Sequence, residues 1–189
     1  METFLNNLDK DKVELLLQET EDNVQYFNNT CQKIVDKYCD SLDKLMKDIY
    51  LECISPGIED TSFQAPLDRL QAYYLEISCG IYFIIHKLEN LGVYADMSES
   101  ASKEVYSKKY IELSRDKDTS GKAKSTVEEL KSKSSVEAQY NSVVASIYDR
   151  AYKIVKGKVE SAKEMMNTLR RLISTRTSEM QLYSVNQGE

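Results

Sequence analysis

Residues 151–174 read AYKIVKGKVESAKEMMNTLRRLIS. Ala151, Ile154, Val155, Ala162, Met165, Met166, Leu169, Leu172 and Ile173 recur there at steps of three and four, the period of one helical face. At roughly 100° per residue, these positions share one arc of roughly 140° with Tyr140, Val144 and Ile147 upstream and Met180 downstream. Lys153, Lys156, Lys163, Arg170 and Arg171 fall in an adjacent arc of roughly 100°. The stretch is therefore a long helix with an apolar flank beside a cationic one. Cations in a line can track a phosphate backbone, although Asp149 and Glu160 share the flank and weaken its field. Lys158 and Arg176 fall inside the apolar arc. Either they snorkel from the edge of a subunit contact, or they pair with carboxylates of the acidic first half of the chain. The second option is preferred because it links them to the charge distribution.

That distribution is uneven. Residues 1–101 carry 8 Lys and Arg against 19 Asp and Glu, whereas residues 102–176 carry 17 against 10. The formal net charge of −6 thus hides a basic half. Such asymmetry suggests a polyanionic partner for one part and a different contact for the other, or attraction between copies.

Working back along the chain, Val24, Phe27, Cys31, Ile34, Tyr38, Leu42, Leu45 and Ile49 predict a first long helix over 9–54, with coiled-coil-like packing. Ser55-Pro56-Gly57 should break it. Pro66 should open a second helix that stops at Gly92. Ser98 should cap a third, over 99–114, and 115–124 should be a loop. Ser125-Thr-Val-Glu128 and Ser134-Ser-Val-Glu137 both match the capping box. The first should start a short helix and the second a long one reaching about Tyr183. The expected fold is all-α, an extended helical hairpin or bundle of long amphipathic helices that assembles into oligomers. Its parts would be an acidic helical region (1–97), a basic helical region (98–183) and a disordered tail (184–189). Tyr140, Ile147, Ile154, Met165, Leu169, Leu172 and Arg176 would form the oligomer interface.

Cys31, Cys39, Cys53 and Cys79 show no CxxC spacing, and three of them fall on apolar helix positions. They read as reduced, buried thiols of a cytoplasmic protein rather than zinc ligands. The N-terminus lacks the pattern of a secretory signal, and the run Ile77–Ile85 is too short to span a bilayer. No Gly-rich phosphate loop, Gly-x-Ser-x-Gly motif or metal-ligand cluster is present, and the lone His86 lies at the end of an apolar face. The chain is expected to be a non-enzyme without cofactor or metal.

Lys103, Lys108, Lys109, Lys122, Lys124, Lys131 and Lys133 add cations upstream of the last helix, with Tyr106 and Tyr110 among them. Cations that neutralise phosphates beside rings that stack on bases suit single-stranded nucleic acid. Together with Ala-Tyr-Lys-Ile-Val-Lys-Gly-Lys-Val-Glu-Ser-Ala-Lys (151–163), this arrangement resembles the UvsY-type recombination mediators of tailed bacteriophages. Lys156, Gly157, Lys158 and Lys163 occupy the places of that family's basic residues around a small one. Lys108, Lys109 and Tyr110 lie where it has a basic, aromatic segment. The resemblance covers roughly residues 103–180; the first 100 residues are longer and more acidic than the family pattern. It implies a homo-oligomeric ring that binds single-stranded DNA and helps a recombinase replace a single-strand-binding protein there. The expected nucleic-acid-binding residues are Lys108, Lys109, Tyr110, Lys153, Lys156, Lys158, Lys163, Arg170 and Arg171. No membrane partner is expected. The chief alternative is a viral or phage structural or adaptor coiled-coil protein. A lesser one is an acidic mimic of nucleic acid.

Overall fold

The computed structural model describes residues 10–60, 63–116 and 125–186. Among them every regular element is helical: α1 (Lys10–Ile49), a π-helical turn (Tyr50–Ile54), α2 (Ser55–Glu59), α3 (Leu67–Ser114), α4 (Val127–Glu137) and α5 (Gln139–Asn186). No described helix is long and apolar enough to cross a membrane.

α3 and α5 are each 48 residues long, about 72 Å at 1.5 Å per residue. They run antiparallel and form the most extensive contact of the molecule, with α1 packed along both. Gly92 of α3 lies opposite Tyr152 of α5, and Tyr94 stacks on Tyr148 with ring centroids 5.7 Å apart. α1 is parallel to α5: Asp43 meets Lys158, and residues further along each helix meet in turn, as Gln64 just past α2 does Arg176. The core is a single apolar seam in which Val35, Leu42 and Ile49 of α1 meet Leu70, Ile77 and Leu91 of α3 and Ala151, Val155 and Leu169 of α5. Burying each large aliphatic side chain contributes about 1.5–3 kcal/mol.

The π-helical turn explains how α1 passes Pro56. A proline in a helix lacks the N–H that would bond four residues back, and its ring crowds that carbonyl. Widening by one residue resolves the conflict, with the Ser55 N–H donating to the Tyr50 carbonyl. The chain then makes one further turn instead of breaking at Ser55, and the Asp60 N–H bonds Pro56 O at 2.9 Å.

Four other boundaries differ from the sequence expectation. α3 continues through Gly92 and Ser98, so neither the stop nor the cap exists, and the expected border at 97–98 falls inside this helix. Gly92 serves packing instead: a Cβ there would lie 3.3 Å from Tyr152 Cε2. The first capping box forms one residue later than expected. Thr126 Oγ1 accepts from the Glu129 N–H at 3.3 Å, and Glu129 Oε2 accepts from the Thr126 N–H at 2.9 Å. The second does not form, because Ser134 is fully buried and its hydroxyl donates to the Leu130 carbonyl at 2.7 Å. Such back-bonding bends helices, and the chain turns at Ala138 (φ −83°, ψ −1°) before α5 begins. α5 runs on to Asn186, into the expected tail; residues 117–124 of the expected loop and 187–189 lie outside the described residues.

Cys31, Cys39 and Cys53 are buried as free thiols, while Cys79 is exposed.

Candidate nucleic-acid interface

The predicted cations of α5 separate by environment. Lys156, Lys163, Arg170 and Arg171 are exposed, and none has a carboxylate within 4.0 Å among the described residues. Lys156 and Arg171 lie fifteen residues apart, about 22 Å along the helix. Lys156, Lys163 and Arg170 follow one another at seven-residue steps, so they stay on one line of the surface. This line lies away from α1, on the side of α5 opposite the one that carries the Lys158 ion pair. Lys153 belongs to the same flank, but its ammonium donates to Asp149 Oδ2 at 2.7 Å, which offsets part of its field.

Lys158 is not on this rail. Its ammonium donates to both carboxylate oxygens of Asp43, at 2.8 and 2.7 Å, in a half-buried position between α1 and α5. It does not belong with the expected nucleic-acid-binding cations, because a cation satisfied by a partner across the bundle does not face solvent phosphate. Arg176 also turns inward. It donates to Glu179 Oε2 at 2.9 Å and to Gln64, and its Nε is buried without a partner. The carboxylate it meets lies on its own helix, not in the acidic half. Around it, Ile54, Phe63, Leu70 and Leu172 line a cleft of about 410 Å³ at the end of the bundle.

Lys108, Lys109 and Tyr110 lie on α3 near its C-terminal end. The antiparallel register set by Gly92 and Tyr152 puts Tyr110 level with residue 134, so it is roughly 30 Å from Lys156 along the bundle. The two predicted parts of the interface are therefore not brought together. Lys108 pairs with Glu104, and Lys109 with Glu112 at 3.2 Å. Tyr110 is half-buried and stacks on Tyr106 with centroids 6.3 Å apart, so one face of its ring is already covered.

The predicted oligomer interface is largely spent within the chain. Ile147 and Leu169 are buried in the core, and Ile154, Met165 and Leu172 pack against it. Only Tyr140, 84% exposed, presents its whole side chain. Periodicity gives the apolar face of a helix but not its occupant.

No known protein family, curated protein or solved structure matches this chain.

Two features carry no signal in helical phase alone. Glu52, Arg69 and Tyr73 form a polar cluster across the α2 turn: Arg69 Nε donates to Glu52 at 2.9 Å, Arg69 Nη2 donates to Tyr73 Oη at 3.0 Å, and the guanidinium sits 4.6 Å from the Tyr73 ring centroid. The hydrogen bond from Tyr73 and the Arg69 cation hold the Glu52 carboxyl below its ordinary value, while burial above all pushes the Tyr73 phenol up to about 12. The second feature is an apolar stripe on the outer face of α3, where Leu75, Tyr82, Phe83, Val93 and Met97 are all more than half exposed. The continuous apolar run at 77–85, broader than one helix face needs, is the trace of it in the sequence.

Among the described residues no group of His, Cys, Asp and Glu is placed to hold a metal ion.

Proposed function

We propose that this chain is a helical single-stranded-DNA-binding protein that acts in recombination as a mediator, assembling with further copies of itself and helping a recombinase onto DNA held by a single-strand-binding protein. The observation that carries the reading is the set of four exposed cations on one flank of a long helix, Lys156, Lys163, Arg170 and Arg171, which have no ion pair among the described residues. The resemblance of residues 151–163 to UvsY-type mediators supports the same assignment and supplies the recombination context. Four phosphate contacts on a single strand give a slope of about −2.8 in log affinity against log salt.

The test is fluorescence anisotropy of a labelled single-stranded oligonucleotide across a salt series. Binding is expected to weaken steeply as salt rises. Lys156→Ala with Lys163→Ala should lower affinity at low salt and flatten the slope by about 1.4. Failure to bind at low salt, or an unchanged slope in the double variant, would overturn the assignment. With binding established, acceleration of recombinase loading onto protein-covered single strands separates a mediator from a passive binder.

A second reading, a structural or adaptor protein, is favoured by two observations. Lys103, Lys108, Lys109 and Lys153 are each already paired with a carboxylate on their own helix. The outer stripe of α3 is apolar rather than basic.

A further inference from the structure

The cationic line of α5 has a neighbour on α3. Asp149, Lys156, Lys163 and Arg170 follow one another at seven-residue steps on α5, and Leu75, Tyr82, Glu89 and Asp96 do the same on α3. Seven residues are nearly two turns, so each set keeps to one flank of its helix. The two flanks face each other, because Asp96 and Asp149 line one groove of about 500 Å³ between the helices. The antiparallel register set by Gly92 and Tyr152 then gives the other levels to within one residue. Glu89 stands level with Lys156, Tyr82 with Lys163, and Leu75 with Arg170. Packed helices lie about 8–10 Å apart axis to axis, so these pairs border one continuous groove along the surface.

The groove changes character along its length. Its Asp96–Asp149 end is acidic, and Glu89 offsets part of the Lys156 charge. From Lys163 to Arg170 the facing flank of α3 carries no carboxylate: Tyr82, Ser78 and Leu75 are exposed there, and Glu76 lines the groove between α3 and α1 instead. Glu160 and Glu164 lie on the outer side of the cationic line, roughly 60° and 100° round the helix from Lys163. Tyr82 is 62% exposed. It meets Phe83 and His86 at interplanar angles of 76° and 84°, so neither ring stacks on it, whereas Tyr110 is stacked on Tyr106. An accessible ring beside two exposed cations is the combination that Lys108, Lys109 and Tyr110 do not supply.

We infer that this groove takes one unpaired strand of nucleic acid, with phosphates on Lys163 and Arg170 and a base stacked on Tyr82. The inference rests on the proposed function and adds to it a reason for choosing single strands. Cations alone neutralise the phosphates of duplex and single strand alike. A duplex keeps the faces of its bases inside its own stack, so it cannot offer one to Tyr82. An acidic polypeptide would satisfy the cations and leave the ring without a partner. Stacking on an aromatic side chain tolerates any sequence, because every base has a π-face. The carboxylates at the Asp96 end repel a phosphate backbone and bound the site on that side.

Anisotropy of the full chain with three labelled probes of equal length tests this: a mixed-sequence single strand, its duplex, and a strand of stable abasic sites. The single strand should bind more tightly than either of the others. Tyr82→Ala should weaken its binding at least about fivefold, with unchanged far-ultraviolet circular dichroism and an unchanged salt slope, because no phosphate contact is lost. Tyr82→Phe, which keeps the ring, should bind as the native chain does, and Tyr82→Ala should be silent on the abasic strand. Lys163→Ala with Arg170→Ala should flatten the slope by about 1.4 on both single-stranded probes. Binding that responds to Lys163 and Arg170 but not to Tyr82, or equal affinity for the abasic strand, would overturn the inference and leave the proposed function standing. Displacement of the strand by polyglutamate as readily as by unlabelled strand would make an acidic polypeptide the occupant and overturn it too. Absence of binding to every probe at low salt, or a slope that the double substitution does not change, would overturn the proposed function with it.

Discussion

Lys158 falls by helical phase among apolar residues, and the structure shows why a lysine is tolerated there. Its stem lies in the seam while its ammonium reaches Asp43 on the parallel helix. The phase alone was legible and left two alternatives; the partner was not, because the register of one helix on another depends on the whole seam. Beside this pair, Cys39 is fully buried, and its thiol is pushed from an ordinary value near 9 to about 11, chiefly by burial and then by the Asp43 charge, against the opposing Lys158. Tyr73 is likewise raised from 10 to about 12. Both groups hold their protons more tightly folded than unfolded. Their contribution is complete below the unfolded values and is lost as pH rises toward the folded ones. Stability should therefore begin to fall near pH 9 with Cys39 and steepen above pH 10 as Tyr73 joins, at about 1.4 kcal/mol per pH unit for each group within its window. Urea midpoints between pH 8 and 12 measure this. Cys39→Ala should flatten the first part of the fall relative to its own stability at pH 8, with a residue left from Cys31 and Cys53, whose thiols burial also raises.

Glycine was the least legible letter at the scale of elements. A glycine ending an apolar helical run reads as a stop, as Gly92 does in the sequence. Here it is a notch that admits the Tyr152 ring, and the helix runs on for another 22 residues to Ser114. A local pattern does not distinguish the two roles, since what decides is a side chain sixty residues away. Gly157 is the converse case. It lies inside α5, exposed, and a Cβ there would meet nothing within 4 Å. Gly157→Ala should stabilise the protein by about 1 kcal/mol, read as a higher urea midpoint with unchanged cooperativity. Gly92→Leu should destabilise it, because the added atoms would have to displace the Tyr152 ring. The capping boxes give the same lesson. Thr126 and Glu129 cap a helix start that meets solvent, whereas the identical pattern at Ser134 and Glu137 is overridden once Ser134 is buried.

At the scale of the molecule, the all-α class and the long helices were legible because apolar spacing of three and four persists over dozens of residues with few breakers. Which helices pair was not. The basic and acidic halves, separate in sequence, share one bundle because α3 runs through the border between them. The cationic rail survives folding in part. Lys156, Lys163, Arg170 and Arg171 keep their charge to solvent, while Lys158 and Arg176 turn inward. The length of α3 and α5 has a consequence for motion. A single copy of the chain, about 72 Å long and holding only 189 residues, drags more water than a sphere of equal mass, and it tumbles more slowly about its short axes than about its long one. It should sediment with a frictional ratio well above that of a compact protein, and its amide relaxation should differ between N–H vectors along and across the rod. Because helical N–H bonds point along the axis, most of this chain's amides should report the slow tumbling.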